Sequence, residues 1–88
     1  MIEVEVFTSP GCAKCAKAKT VLRELAEEVG AGRIRWREVN ILEELDRAVV
    51  LGVLSAPAIA VDGELVFTGL PRPARLRDHL LRRLEEVE

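Results

Sequence analysis

Neither sign of charge dominates this chain, no stretch of it is long and apolar, and it holds only two cysteines and one histidine. Each shortage excludes something. The 13 basic and 15 acidic side chains are interspersed and leave a formal charge of -2. That balance gives no electrostatic footprint for nucleic acid or a membrane surface. No apolar run approaches the roughly 18 residues that span a bilayer. The opening Met1-Ile2-Glu3-Val4-Glu5-Val6-Phe7 alternates with period two. It lacks the basic and apolar regions of a signal peptide and reads as a strand. The expected compartment is therefore the reducing cytoplasm.

Amides are also scarce: there is one Asn, no Gln and one Met, while Arg is the main basic residue. A heat-adapted source and a GC-rich genome account for this equally well. No repeat, low-complexity tract or linker interrupts residues 1–88, so they are expected to form a single domain. The hydrophobic share of 49% is enough for one core, and the mixed charge argues against disorder.

What is present has a clear order. Ile2 to Phe7 is a strand ended by Ser9-Pro10-Gly11. A helix to about Val29 follows, with Cys15, Ala18, Val21, Leu22, Leu25 and Val29 on one face. Gly30 and Gly32 supply its stop. Ile34 to Val39 is a second strand, with Ile34 and Trp36 on one side and Arg33, Arg35 and Arg37 on the other. Asn40, with Glu43 three residues on, has the pattern of a capping box. The short helix after it is expected to bury Leu42, Leu45 and Val49 and to stop near Gly52.

Ala58 to Val61 and Glu64 to Thr68 form a hairpin around Asp62-Gly63, a dipeptide suited to two positive-φ positions. Pro71 and Pro73 open a last helix carrying Leu76, Leu80, Leu84 and Val87 on one face. The order βαβαββα implies an α/β fold: a four-stranded mixed sheet flanked by three helices.

Cys12-Ala13-Lys14-Cys15 follows a strand and a Pro-Gly turn and opens a helix. A spacing of three brings both sulfurs to one side of that helix. A disulfide closing so small a loop would constrain the unfolded chain very little, so chemistry explains the pair better than stability. Free N–H groups at a helix start favour a thiolate. Cys12 is thus the expected nucleophile, and Cys15, one turn in on the apolar face, the resolving thiol. All three lysines, Lys14, Lys17 and Lys19, lie in the first half of this helix, and Glu24, Glu27 and Glu28 lie in the second. That polarity opposes the helix dipole, which makes sense if positive charge serves the thiolate or steers an anionic partner. Lys14, between the cysteines, is the first candidate for that role, whereas Lys17 and Lys19 read equally well as a solvated face. Zinc also uses C-x-x-C, but a mononuclear site needs four ligands and the chain offers two Cys and one His. His79 lies far along the chain among Arg and Leu and reads as a surface residue. No metal site is expected within one copy.

These features resemble the thioredoxin/glutaredoxin superfamily, and most of all its small glutaredoxin-like thioredoxins of archaea and heat-adapted bacteria. Val4-Glu5-Val6-Phe7-Thr8-Ser9-Pro10-Gly11-Cys12 resembles the family's first strand and active-site turn. Gly52-Val53-Leu54-Ser55-Ala56-Pro57-Ala58 resembles its cis-proline loop. The resemblance implies the minimal thioredoxin fold and a cis Pro57 facing the cysteines and keeping metal from them. It also implies a substrate-binding rim of Gly11, Ala56, Pro57 and Gly69, with the Ala56 backbone pairing with an extended substrate. The redox-active disulfide Cys12–Cys15 would stand in place of any cofactor.

The chain also departs from the family. Thioredoxins carry Trp before the first cysteine and Gly-Pro between the two, where this chain has Gly11 and Ala13-Lys14. Their buried first-strand Asp is replaced by Val6, which leaves water and Lys14 as candidate acceptors for the resolving proton. Glutaredoxins hold glutathione with a Gly-Gly pair and acidic residues, where this chain reads Gly69-Leu70-Pro71-Arg72. The leading expectation is therefore a monomeric thiol-disulfide oxidoreductase. It would act on disulfide-containing proteins or small molecules and be recharged by a flavoprotein disulfide reductase. A glutathione-dependent glutaredoxin is the alternative within that class, and a non-catalytic or metal-binding module the alternative outside it.

Overall fold

The computed structural model describes residues 1–30 and 32–86. Its elements are β1 (Ile2–Thr8), α1 (Ala13–Gly30), β2 (Ile34–Asn40), α2 (Leu45–Leu51), β3 (Ala58–Val61), β4 (Glu64–Thr68) and α3 (Pro73–Glu86). The strands form one sheet in the order β2-β1-β3-β4. β1 runs parallel to β2 and antiparallel to β3, and β3 runs antiparallel to β4. The expected four-stranded mixed sheet with three helices is thus present.

β1 is central and covered on both faces. Ile2, Val4 and Val6 join Ile59 and Val61 against Ala18, Leu22 and Leu25 of α1 and Leu76, Leu80 and Leu84 of α3. The opposite face holds a smaller cluster of Phe7, Val39, Ala48, Val53, Ala58 and Ala60. Glu5 also points to that side and is buried. Such a carboxylate must be compensated, and Arg47 supplies two hydrogen bonds (2.7 and 3.0 Å) and Arg37 a third (2.9 Å). Alternation along β1 sets Glu5 opposite Ile2, Val4 and Val6, and α2 carries its counter-charge across and closes over it.

Asp62 and Gly63 both have positive φ (50° and 80°), as the hairpin turn requires. The Asp62 carboxylate also accepts the Glu3 N–H, which ties the turn to β1. In α3 the three leucines are buried as their spacing predicts; Val87 lies outside the described residues.

The start of α2 differs from expectation. Asn40 is the last residue of β2 and caps no helix. Its side-chain oxygen accepts the Leu42 N–H (2.9 Å), and its carbonyl accepts the N–H groups of Glu43 and Glu44. This turn delays α2 to Leu45 and changes its phase. Leu42, Leu45 and Val49, expected in the core, are 70%, 57% and 69% exposed. Ala48 takes the core position, and Arg47 meets Glu5. Gly52, at φ 80°, closes α2 by donating to the carbonyls of Ala48 and Val49.

His79 also departs from its reading as a surface residue. It is half-buried, with its ring edge-on to Phe67 at 5.7 Å between centroids, and its Nε2 is buried without a hydrogen-bond partner among the described residues. Burial, and then Arg83 and Arg82, lower its pKa below the ordinary 6.5.

Candidate active site

Three chain segments meet at one end of the sheet. β1 ends at Thr8 and turns through Ser9-Pro10-Gly11 into α1. The register pairs Phe7 with Ala58 and Ala58 with Thr68, so the residues before β3 and after β4 emerge at the same end. Cys12, Pro57 and Gly69 therefore stand on neighbouring loops. The Gly69 N–H donates to the Pro57 carbonyl at 2.8 Å and links two of those loops directly. The Ala56–Pro57 peptide is cis, as the resemblance implied. Pro57 is buried and Ala56 half-buried, and Ala56 lies outside the β3 ladder. Gly11 has φ 71°, a left-handed conformation that lets the chain turn from strand to helix in so few residues.

Cys12 and Cys15 are joined in a disulfide with their Cα atoms 5.3 Å apart. The two sulfurs sit in unlike surroundings. Cys15 is 3% exposed and packs on the buried face of α1, whereas Cys12 is half-exposed just ahead of the helix. The Cys15 N–H donates to Cys12 Sγ at 3.1 Å. Cys12 sulfur thus fills the place of a capping oxygen at the start of α1. The first turn of α1 carries no acidic residue to oppose an anion there. A backbone N–H and the positive end of the helix dipole both lie at this sulfur.

Lys14 is exposed beside the pair and makes no ion pair among the described residues. Lys19 is engaged elsewhere. It donates to Glu38 (3.2 Å), whose other oxygen accepts from the buried Thr8 hydroxyl at 2.7 Å. The Thr8 hydroxyl first, and Lys19 second, hold the Glu38 carboxyl below its ordinary pKa. Local sequence pattern does not reveal this Thr8–Glu38–Lys19 cluster, because Lys19 fits a charge source and a solvated face equally well. The β1/β2 register that sets Glu38 beside Val6, on the α1 side, is the signal that exposes it. Among the described residues no three His, Cys, Asp or Glu side chains gather as metal ligands, and no helix is long and apolar enough to cross a membrane.

A family model described as a thioredoxin domain matches residues 2–81. A thioredoxin of Methanocaldococcus jannaschii is 31% identical over 83 residues, covering 94% of this chain and 96% of its own length. A probable thioredoxin of Archaeoglobus fulgidus is 34% identical over 88 residues, covering 100% of this chain and 94% of its own. Among solved structures, a mutant thioredoxin from Halobacterium salinarum superimposes with a TM-score of 0.74 at 25% identity. That match covers 88% of this chain and 69% of the other. Fasciola hepatica thioredoxin gives a TM-score of 0.76 at 22% identity over 92% of this chain and 79% of its own, a likeness of fold.

Proposed function

Because this chain belongs to the thioredoxin family, we propose that its thiol-disulfide exchange uses Cys12 as the attacking sulfur and Cys15 as the resolving one. The chain is a thiol-disulfide oxidoreductase by that membership and by its Cys12–Cys15 disulfide. The observation that carries the assignment of roles is the asymmetry of the pair. A half-exposed sulfur accepts a helix N–H, and a buried one stands a turn behind it.

In the reduced protein the Cys12 thiolate attacks one sulfur of a substrate disulfide. A Cys12–substrate disulfide forms, and the other substrate sulfur leaves as a thiolate that takes up a proton. Cys15 then loses its proton and attacks Cys12 Sγ. The Cys12–Cys15 disulfide closes and the second substrate thiol is released. Two electrons have moved to the substrate, and a flavoprotein disulfide reductase returns them with two protons. Water carries the Cys15 proton away, and the departing substrate sulfur takes one up in turn. Ala56 pairs its backbone with the extended substrate, while Gly11, Pro57 and Gly69 form the rim that admits it. No cofactor beyond the disulfide is required, and the monomer acts in the cytoplasm on protein or small-molecule disulfides.

Insulin reduction driven by dithiothreitol tests this reading. The wild type accelerates insulin precipitation and Cys12→Ser abolishes the acceleration. Equal rates for the two would overturn the assignment. Turnover that requires glutathione and glutathione reductase would shift the donor assignment to the glutaredoxin type.

A further inference from the structure

A cleft of about 400 Å³ lies between α1 and the segment that leads from Gly69 into α3. Ala16, Val21, Leu70, Pro71 and Pro73 give it apolar walls, and Lys17 stands among them. Its Val21 also packs against the α1/α3 core, and the cleft adjoins the redox centre at two points. Ala16 follows Cys15 in the chain, and Leu70 follows Gly69. The two chain stretches that line it carry charge of one sign. From residue 6 to 23, and again from 65 to 77, every charged side chain is Lys or Arg. These two stretches contain the whole lining, in a chain whose net charge is -2. Most other cations are matched: Arg35 with Glu3, Arg37 and Arg47 with Glu5, Arg77 with Glu28, Arg83 with Glu64. Lys14, Lys17 and Arg72, which border the cysteines and the cleft, form no ion pair among the described residues.

Resting on the oxidoreductase reading above, we propose that this cleft is the specificity pocket for protein substrates. Its occupant is an apolar side chain of an acidic, extended segment that carries the disulfide under attack. Spacing fixes where that side chain lies. Along α1, Ala16 is roughly 6 Å and Thr20 roughly 12 Å beyond Cys12, at about 1.5 Å per helical residue. An extended peptide covers that span in roughly two to four residues at about 3.3 Å each. The pocket therefore reads a Leu-sized residue two to four positions from the substrate cysteine, and the unmatched cations read Asp or Glu around it. The lining holds no carboxylate to meet the ammonium of glutathione's γ-glutamyl end, so a peptide is the favoured occupant.

The test uses the whole reduced protein and synthetic homodisulfides of a short Asp-rich peptide with one central Cys. A single Leu is moved through every position on both sides of the Cys, and initial reduction rates are compared with those for bis(2-hydroxyethyl) disulfide. The expected result is one rate maximum, with Leu two to four residues from Cys on one side, about tenfold above the Leu-free peptide. Thr20→Phe, at an exposed helix position that faces the cleft, should flatten the maximum and leave the small neutral disulfide unaffected. Lys17→Glu should invert the preference between Asp-rich and Lys-rich peptides, and the inversion should shrink at high salt. A flat Leu scan with the small disulfide still reduced overturns the pocket and spares the oxidoreductase reading. So does a wild type that reduces oxidised glutathione faster than every peptide, with Thr20→Phe changing nothing. Failure to reduce the small disulfide as well would sink the oxidoreductase reading itself.

Discussion

The two faces of the sheet are built on different principles. On one, α1 and α3 close over β1 and β3 with aliphatic side chains, and Ile2, Val6, Leu22, Ile59, Leu76 and Leu80 are fully shielded from solvent. On the other, α2 is seven residues long, buries little beyond Ala48, and is fastened by Arg47 to a buried Glu5. It turns Leu45, Val49 and Val50 outward. The first face derives its stability from area removed from water; the second draws part of its stability from a charge pair of fixed geometry. The redox centre is mounted on the first. Cys15 is part of the buried stripe of α1, whose Ala18, Leu22 and Leu25 belong to the larger core cluster, so Cys12 stands ahead of an anchored helix. Such a site needs a rigid scaffold under one sulfur and open access to the other.

The largest expected effect comes from comparing one aliphatic residue on each side. Leu22→Ala removes a fully buried side chain between α1 and the sheet and should cost about 2–5 kcal/mol. A domain of this size has on the order of 5–15 kcal/mol in total, so the loss would be plain in urea denaturation. Val49→Ala on α2 should change stability by less than about 0.5 kcal/mol, because that side chain is 69% exposed. Similar losses at the two positions would erase the distinction between the faces.

Glu5→Gln probes the charged fastening itself. Arg37 and Arg47 are about half exposed and can turn to water, so the expected loss is about 1–2 kcal/mol at neutral pH. Hydrogen bonding from Arg47 leads the causes that lower the Glu5 pKa below its ordinary 4.5, with the charges of Arg47 and Arg37 adding to it and burial opposing. A carboxylate whose folded pKa is depressed adds stability above its unfolded pKa, and that stability fades as pH falls through the folded value. The gap between wild type and Glu5→Gln should therefore be widest near neutrality and shrink as pH falls below the ordinary 4.5. A gap that stays constant with pH would mean that Glu5 contributes by shape and not by charge.

The same contrast explains what was legible in the sequence. The strand-turn-helix that carries Cys12 and Cys15 is local, and each part has its own signal: alternation in β1, the Pro-Gly turn, and the apolar stripe of α1. The Asp62-Gly63 hairpin and the leucines of α3 are legible for the same reason. The α2 face is not. Asn40 can use the same side-chain oxygen to cap a helix or to close a turn onto Leu42, and the residues around it fit both patterns. That single ambiguity rotates α2 and exchanges Leu45 and Val49 for Ala48 at the sheet. The partner of Glu5 lies 42 residues on, beyond the reach of any local pattern. The cleft beside the cysteines joins segments about as far apart in the chain, so its walls come together only when α3 folds back along α1.

His79 is the exception that tests the apolar face, and its effect should be the smallest. It lies on α3 against Phe67, itself packed on the α1/α3 core, with a ring nitrogen that has no partner among the described residues. The groups around it are mixed. Burial and the charges of Arg83 and Arg82 disfavour its cation, while Glu64 and Glu86 favour it, and the net pKa is lowered. A histidine of this kind is neutral in the folded protein at a pH where the unfolded chain already takes up a proton. Its contribution should therefore be full above pH 6.5 and decline as pH falls below that value. His79→Phe keeps the contact with Phe67 and removes the titration, so its urea midpoint should hold level between pH 7 and pH 5 while that of the wild type drifts down. Parallel curves would show that the ring protonates as freely in the folded state as in the unfolded one. The α1/α3 face would then be wetter at its α3 edge than its packing implies.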